Sequence, residues 1–158
     1  MKNVFKRILV PIDGSEHADK ALDCALDLAE KYSATIELLN VFSTAPITMG
    51  YPASMVYAPT TAGYPTWAST YSKESRANNE KMLSEALKKA KKIKPNLDIS
   101  TKLVEGRTAD KIVETAKDGN FDLIVMGSRG LGGIKEFLLG SVSNRVADDA
   151  ECPVMIVK

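Results

Sequence analysis

Glycine and serine residues near the C-terminal end form the pattern in this sequence best suited to chemistry. Gly127-Ser128-Arg129-Gly130 is followed, after nine further residues, by Gly140-Ser141-Val142-Ser143. Glycines permit positive φ and close backbone approach, so several N–H groups can point at one anion. The two later serines stand at the predicted start of a helix, where free N–H groups and the helix dipole favour phosphate. The pattern predicts a phosphate-binding loop, with a tight glycine turn and a serine N-cap as the alternative.

The two best-known phosphate-binding motifs are absent from this segment. A Walker A loop needs a lysine between its last glycine and the Ser/Thr, and Gly140-Ser141 has none. The GxGxxG fingerprint fails as well, because two residues separate the first glycines and the segment follows the fourth predicted strand. Arg129, inside the loop, is the best-placed cation for a phosphate. Lys135 and Arg145 fit a solvated surface at least as well.

Elements that could position this loop alternate along the whole chain. Strand patterns lie at Arg7–Ile12, Thr35–Phe42, Leu97–Val104, Phe121–Met126 and Pro153–Val157. Helix patterns lie at Glu16–Tyr32, Lys73–Lys94, from Arg107 or Thr108 to Gly119-Asn120, and at Val142–Ala150. This order is βα repeated four times and closed by a fifth strand. Because crossover helices force parallel strands, it predicts an open, doubly wound α/β sandwich with helices on both faces.

Four residues stand at or just after predicted strand ends. They are Asp13, Val41, Gly106 and Gly127. Ligands of doubly wound sheets bind outside the carboxyl ends of the strands, where the strand order reverses. These positions are therefore candidates for one site.

The segment Ser43 to Thr70 breaks the regular plan. At about 28 residues without periodicity it far exceeds the usual connection of ~2–6 residues. It contains four of the ten aromatic residues, Tyr51, Tyr57, Tyr64 and Trp67. One interpretation is a mobile surface insertion. The other is a lid or a protein-contact segment, because Tyr and Trp are favoured interface anchors.

Composition limits the classes of protein that this chain can represent. Its 158 residues predict one domain. Lys plus Arg total 21 and Asp plus Glu 20, which argues against a dedicated nucleic-acid binder. No apolar run approaches the ~20 residues of a membrane span, and no signal-peptide pattern opens the chain. Cys24 and Cys152 form no CxxC or zinc spacing. We therefore expect a cytoplasmic protein with no nucleic-acid or membrane partner.

Other reactive side chains give weaker signals. His17, the single histidine, lies in the first predicted helical turn and is expected to be a solvated residue rather than a general base. Cys24 falls near an apolar stripe and is expected in the core. A basic helix end is interpreted as a solvated face that suits the helix dipole, with a docking patch for an acidic partner as the minority alternative. It contains Lys88, Lys89, Lys91, Lys92 and Lys94.

Three motifs in order resemble the universal stress protein family of the ATP-binding type. The pattern Gly127-x-x-Gly130, nine residues, then Gly140-Ser141 looks like the nucleotide-binding signature of that family. Ile8–Ser15 matches its first strand and turn. Phe121–Gly130 and Cys152–Val157 match its last two strands. The resemblance covers nearly the whole chain and is weakest across the Ser43 to Thr70 segment.

The resemblance implies a five-stranded parallel sheet of order 3-2-1-4-5, with ATP over the ends of the first and fourth strands. Asp13 would accept hydrogen bonds from ribose hydroxyls, or else serve as a turn or helix-capping aspartate. Mg²⁺ (or Mn²⁺) would bridge the phosphates, since no side-chain cluster resembles a metal cage. The base and ribose would be bordered by Pro11, Ile12, Asp13 and Val41. The rest of the nucleotide would be wrapped by Met126, Gly127, Ser128, Arg129, Gly130, Leu131, Gly132, Gly133, Gly140, Ser141, Val142 and Ser143.

The resemblance also implies that the protein is a homodimer. It further implies that this dimer is a nucleotide-dependent regulatory switch in stress response, with little catalytic activity of its own. The dimer would form through the last strand, Pro153, Val154, Met155, Ile156 and Val157. The alternative from sequence alone is an edge shielded by the preceding helix. Two other functions stay open. One is a slow ATPase or phosphotransferase, although the sequence offers no convincing base, and the other is a nucleotide-independent interaction module acting through the aromatic insertion.

Overall fold

Five parallel strands form one sheet in the order β3-β2-β1-β4-β5. A computed structural model of the chain describes residues 4–43, 66–130 and 139–158. The strands are β1 (Arg7–Pro11), β2 (Thr35–Phe42), β3 (Ile99–Glu105), β4 (Leu123–Gly127) and β5 (Val154–Val157). The helices are α1 (Glu16–Tyr32), α2 (Thr66–Ile93), α3 (Thr108–Asp118) and α4 (Ser141–Asp149). The expected doubly wound α/β fold and its strand order are confirmed.

Helices cover both faces of the sheet, because each central strand is apolar in both directions. In β1, Ile8 and Val10 belong to the core under α1 and α2. Leu9, between them, belongs to the core under α3 and α4. All three side chains are fully buried. Such burial stabilises the fold by roughly 1.5–3 kcal/mol for each side chain.

Helix α1 has the predicted bounds because both of its ends carry local signals. The Ser15 hydroxyl accepts a hydrogen bond from the Ala18 N–H at 3.1 Å, which caps the first turn. At the other end Ser33 adopts the left-handed conformation, with φ of 54°, and its N–H bonds to the Ala29 carbonyl. The Ser15 cap therefore fixes where α1 begins after the turn that follows β1.

Helix α2 differs from the prediction at its beginning. It starts at Thr66 rather than at Lys73, so residues 66–70 of the expected insertion are helical. The other insertion residues from 44 to 65 lie outside the described ranges. The division into one domain with an insertion at about 43–70 stays a prediction. None of the helices in the described ranges is long and apolar enough to cross a bilayer.

Lys88, Lys89 and Lys92 in the lysine-rich end of α2 are exposed, as expected of a solvated face, and some lysines of this end also pair with acidic residues of α1. Nζ of Lys89 lies 3.7 Å from a carboxylate oxygen of both Asp19 and Asp23 on α1. Lys94 hydrogen-bonds to Glu30, also on α1. These are exposed pairs, so each stabilises by only ~0–1 kcal/mol. They place the C-terminal end of α2 alongside α1.

Candidate functional site

A pocket of about 520 Å³ opens at the carboxyl ends of β1 and β4. These two strands are neighbours, and the chain order reverses between them. The pocket therefore occupies the switch point at which doubly wound sheets bind ligands. The predicted site residues that line it are Pro11, Ile12, Asp13, Val41, Met126, Gly127, Arg129, Gly130, Gly140, Ser141, Val142 and Ser143. Leu131, Gly132 and Gly133 lie outside the described residues.

One wall of the pocket is apolar and continues the core under α3 and α4. Leu39 and Val41 of β2 share that face with Met126 of β4. Ile112 of α3 closes the wall and is only 1% exposed. An apolar wall with few polar groups suits a flat ring such as a nucleotide base.

Residues at the start of α3 line the pocket although the sequence analysis did not select them. They are Thr108 and Ile112, which lie one turn apart. Gly106, which was selected, makes the preceding turn with φ of +148°, and its N–H bonds to the Phe42 carbonyl at 2.9 Å. Gly106 therefore indicated the position of the turn, but the residues that line the pocket, Thr108 and Ile112, follow that turn in the chain.

Asp13 combines the two roles that the sequence left as alternatives. Its Oδ1 accepts a hydrogen bond from the Ser15 N–H at 2.9 Å, which makes it a turn aspartate. It also lines the pocket, and its Oδ2 faces Gly130 across the opening. Because Oδ1 is held, the carboxylate presents Oδ2 in a fixed direction.

Ser128 is placed behind the pocket wall and ties the glycine segment together. Its carbonyl accepts hydrogen bonds from the Gly140 N–H at 2.8 Å and from the Ser143 hydroxyl at 2.9 Å. Its own N–H donates to the Val157 carbonyl at 2.8 Å. The residue is 4% exposed. Ser128 therefore joins β4, β5 and the start of α4, and the Ser143 hydroxyl donates within the protein.

His17 is half-buried against this same segment, which corrects the expectation of a solvated residue. Its Nδ1 lies 3.2 Å from the Ser128 Oγ. Gly127 allows this contact, since a Cβ there would come within 2.7 Å of the His17 backbone carbon. The contact between His17 and Ser128 joins residues that are far apart in the chain, because helix α1 passes over the end of β4. A local sequence pattern therefore could not have predicted it.

Free backbone donors gather at the start of α4. The first helical bond runs from the Asn144 N–H to the carbonyl of Gly140, the N-cap, at 3.0 Å. The N–H groups of Ser141, Val142 and Ser143 precede it and have no intrahelical acceptor. All three residues line the pocket. This end of the pocket can therefore hold an anion.

The three cations considered from the sequence have different placements. Arg129 lines the pocket beside these donors. Arg145 is paired with Asp110 at 2.7 Å and with Asp149 at 3.4 Å. Lys135 lies outside the described residues. Arg129 is thus the guanidinium placed to meet an anion.

A doubly wound parallel sheet with such a pocket at its switch point defines the class of α/β domains that bind small ligands at strand ends. A model of the universal stress protein family matches residues 5–158 of the chain. The chain therefore belongs to the universal stress protein family.

Individual family members cover nearly the whole chain. Universal stress protein YxiE of Bacillus subtilis is 36% identical over 98% of this chain and 100% of its own length. The solved structure of UspA from Lactobacillus plantarum superposes with a TM-score of 0.78, at 22% identity and 98% of each chain. A universal stress protein crystallised in complex with cAMP superposes with a TM-score of 0.69, at 25% identity and 98% of each chain.

Proposed function

We propose that this protein binds an adenine nucleotide, ATP with Mg²⁺ or Mn²⁺, and acts as a nucleotide-dependent regulatory dimer in stress response. The observation that carries the proposal is the division of one pocket into an apolar wall and an anion-binding end. A nucleotide has this same division between its base and its phosphates. The family member solved with cAMP supports adenine as the base.

The described residues fit the parts of such a ligand. Val41, Leu39 and Met126 would contact the base, and Oδ2 of Asp13 would accept from the ribose hydroxyls. The N–H groups at the start of α4 and the Arg129 guanidinium would hold the phosphates. At about 520 Å³ the pocket falls within the ~300–1,000 Å³ of small-molecule sites.

The divalent cation would be held chiefly by the phosphates. Within the described ranges, no three His, Cys, Asp or Glu side chains come together to hold a metal ion. Mg²⁺ commonly binds through substrate phosphates and water with few protein ligands. The ion would neutralise phosphate charge that Arg129 alone does not balance.

The site is better suited to holding a nucleotide than to turning it over. Phosphoryl transfer needs a residue that orients the nucleophile. Asp13 is the one carboxylate among the described lining residues, and its Oδ1 is occupied by the Ser15 N–H. A slow ATPase is the alternative, and sustained ATP hydrolysis that is lost in Asp13→Asn would favour it.

The regulatory dimer would form through β5. This strand lies at the sheet edge, and all four of its residues are half-buried in the single chain. An apolar edge of this kind invites pairing with a second copy. Light scattering over a range of concentrations should give the mass of two chains, and the mass of one chain throughout would contradict the dimer. The cytoplasmic location stays part of this proposal.

The decisive experiment for the nucleotide uses a charge at the start of α4. Ser141→Asp places a carboxylate where the phosphates would lie, so ATP binding measured by calorimetry should be lost. Because an acidic first turn stabilises a helix by about 0.3–1 kcal/mol, the variant should melt no lower than the wild type. Asn144→Asp, exposed on the same helix, is the matched control and should still bind ATP.

Mass spectrometry of the natively purified protein identifies the ligand directly. Adenine nucleotide should be released on denaturation. A wild type that releases none, and that shows no melting shift with ATP, would exclude the proposed function. Undiminished ATP binding by Ser141→Asp would place the phosphates elsewhere.

A further inference from the structure

Asn40 of β2 is a buried amide beside the pocket. Its Nδ2 donates to the Ile12 carbonyl at 2.7 Å, and the residue is 3% exposed. The direction of the amide follows from this contact, since the reverse orientation would set two oxygens against each other. Its Oδ1 has no hydrogen-bond partner among the described residues. A buried oxygen without a partner is destabilising, so an apolar side chain would serve a purely structural position better.

The backbone around Asn40 shows what its amide replaces. The Ile12 N–H donates to the Leu39 carbonyl at 2.7 Å, so the polar groups of Leu39 face β1. The Gly106 N–H donates to the Phe42 carbonyl at 2.9 Å, so those of Phe42 face β3. Backbone polar groups alternate in direction along a strand. The N–H and C=O of Val41 therefore face the side of β1.

Strand β1 has ended where the Val41 backbone faces it. The strand closes at Pro11, and the chain turns away through Asp13. In a continued parallel ladder the Val41 N–H would donate to the Ile12 carbonyl. The Asn40 amide donates to that carbonyl instead. Both Ile12 and Val41 line the pocket, so the released backbone groups lie at its wall.

We propose that Asn40 is a positioning residue, whose amide replaces the last ladder bond between β1 and β2 and so keeps the Val41 backbone available to the base of the bound nucleotide. This inference rests on the proposed nucleotide function. It explains why an amide with an unpartnered oxygen occupies a buried position. The base would then be read by one N–H and one C=O of the chain, which together match a ring that carries an adjacent acceptor and donor.

Replacement of the amide by a hydrocarbon should close the ladder. In Asn40→Leu the Ile12 carbonyl loses its donor, and the Val41 N–H is the nearest backbone donor in register to replace it. The Ile12 carbonyl would then still accept a hydrogen bond, and the buried Oδ1 that has no partner would be removed. We expect this variant to melt no lower than the wild type, while the Val41 N–H is withdrawn from the base and only the Val41 carbonyl remains available to it.

A comparison of two ligands, one with a base and one without, distinguishes a positioning role of Asn40 from a general structural role. Binding of MgATP and of magnesium tripolyphosphate, which has no base, is measured by calorimetry on the wild type and Asn40→Leu. MgATP affinity should fall about 10-fold, the loss expected for one good polar contact, while tripolyphosphate affinity stays unchanged. Asn40→Gln keeps an amide donor and should retain more of the MgATP affinity. Equal affinities of Asn40→Leu and the wild type for MgATP, or an equal loss for both ligands, would overturn the inference.

Amide exchange of Val41 tests the inference on the wild type alone. In the free protein the Val41 amide should exchange faster than that of Leu39, inside the ladder, and should become protected when MgATP is added. A Val41 amide already protected in the free protein would overturn the inference, even if Asn40→Leu does not fold. A wild type that binds no adenine nucleotide would instead overturn the proposed function itself, whereas a binding wild type with a protected Val41 leaves that function standing.

Discussion

Asp13 and Gly130 face each other across the pocket opening so closely that a Cβ on Gly130 would lie 2.8 Å from Oδ2 of Asp13. The first residue belongs to the turn after β1, and the second follows β4. The Ser15 N–H holds the other carboxylate oxygen, so Asp13 has little freedom to turn away. The width of the opening at this point therefore depends on the absence of a side chain at position 130.

Gly130→Ala should weaken ATP binding because the added methyl group presses on the Asp13 carboxylate. We expect a loss of about 10-fold, equivalent to about 1.4 kcal/mol, by calorimetry. Gly130 is exposed, so the melting temperature should hardly change. In an Asp13→Ala background the same substitution should cost less, because the atom that it contacts is gone. Additive losses in the double variant would show that the two residues do not interact.

Gly127→Ala should lower the stability of the fold, whereas Gly130→Ala should lower ATP affinity with little effect on stability. Its Cβ would approach the backbone carbon of His17 at 2.7 Å, and backbone cannot move aside as a side-chain tip can. We expect a destabilisation of about 1–3 kcal/mol, as for other overpacked sites. For a chain of this size each kcal/mol lowers the melting temperature by roughly 2–4 °C. Gly130→Ala adds the same methyl group and is the matched control in thermal denaturation. Equal melting temperatures for the two variants would contradict the contact between α1 and β4.

Arg129→Gln should lower ATP affinity, whereas Arg145→Gln should not. Arg129 lines the anion-binding end, while the Arg145 guanidinium is already paired with Asp110 at 2.7 Å. A charge-assisted hydrogen bond contributes about 1.5–3 kcal/mol, so the loss for Arg129→Gln should be roughly 10- to 100-fold. Titrations with ATP and with adenosine separate the cause, because adenosine carries no phosphate and should bind both variants as it binds the wild type. An Arg145 variant that lost more ATP affinity than the Arg129 variant would reverse the assignment.

Cys152 should react slowly with alkylating reagents near neutral pH. Burial raises the pKa of the Cys152 thiol above its usual range, and the Asp122 carboxylate adds to this. A raised pKa leaves less thiolate at a given pH, and the thiolate is the nucleophile. In Cys24→Ser, where Cys152 is the remaining cysteine, the alkylation rate should rise with pH through a midpoint higher than that of an unfolded peptide containing Cys152. A midpoint at or below the peptide value would contradict the burial of this thiol.

Much of the fold could be predicted because its signals are local. Helix α1 and strand β2 have the bounds predicted from the sequence, since the Asp13-Gly14-Ser15 turn is followed directly by apolar residues at helical spacing up to Tyr32. The beginning of α2 at Thr66 was missed because the residues up to Thr70 were assigned to the insertion and the helix was expected to begin at Lys73. Helix formation is cooperative, so a segment with weak signals of its own can be helical because it continues an established helix.

The site was predicted where glycine and strand ends mark it and missed where it depends on contacts between distant elements. The glycine pattern located the loop, but it did not show that Ser128 faces away from the pocket. His17 was expected in solvent because its partner is more than a hundred positions away in the chain. Asn40 gave no signal in the sequence, since its role follows from the register between β1 and β2.

The hydrogen bond between the Gly140 N–H and the Ser128 carbonyl brings the two ends of one stretch of chain to the same point. The same carbonyl oxygen accepts from the Ser143 hydroxyl, so one atom at the end of β4 anchors both the N-cap and the first turn of α4. A substitution that shifted the Ser128 carbonyl would therefore shift the N–H donors at the start of α4 with it.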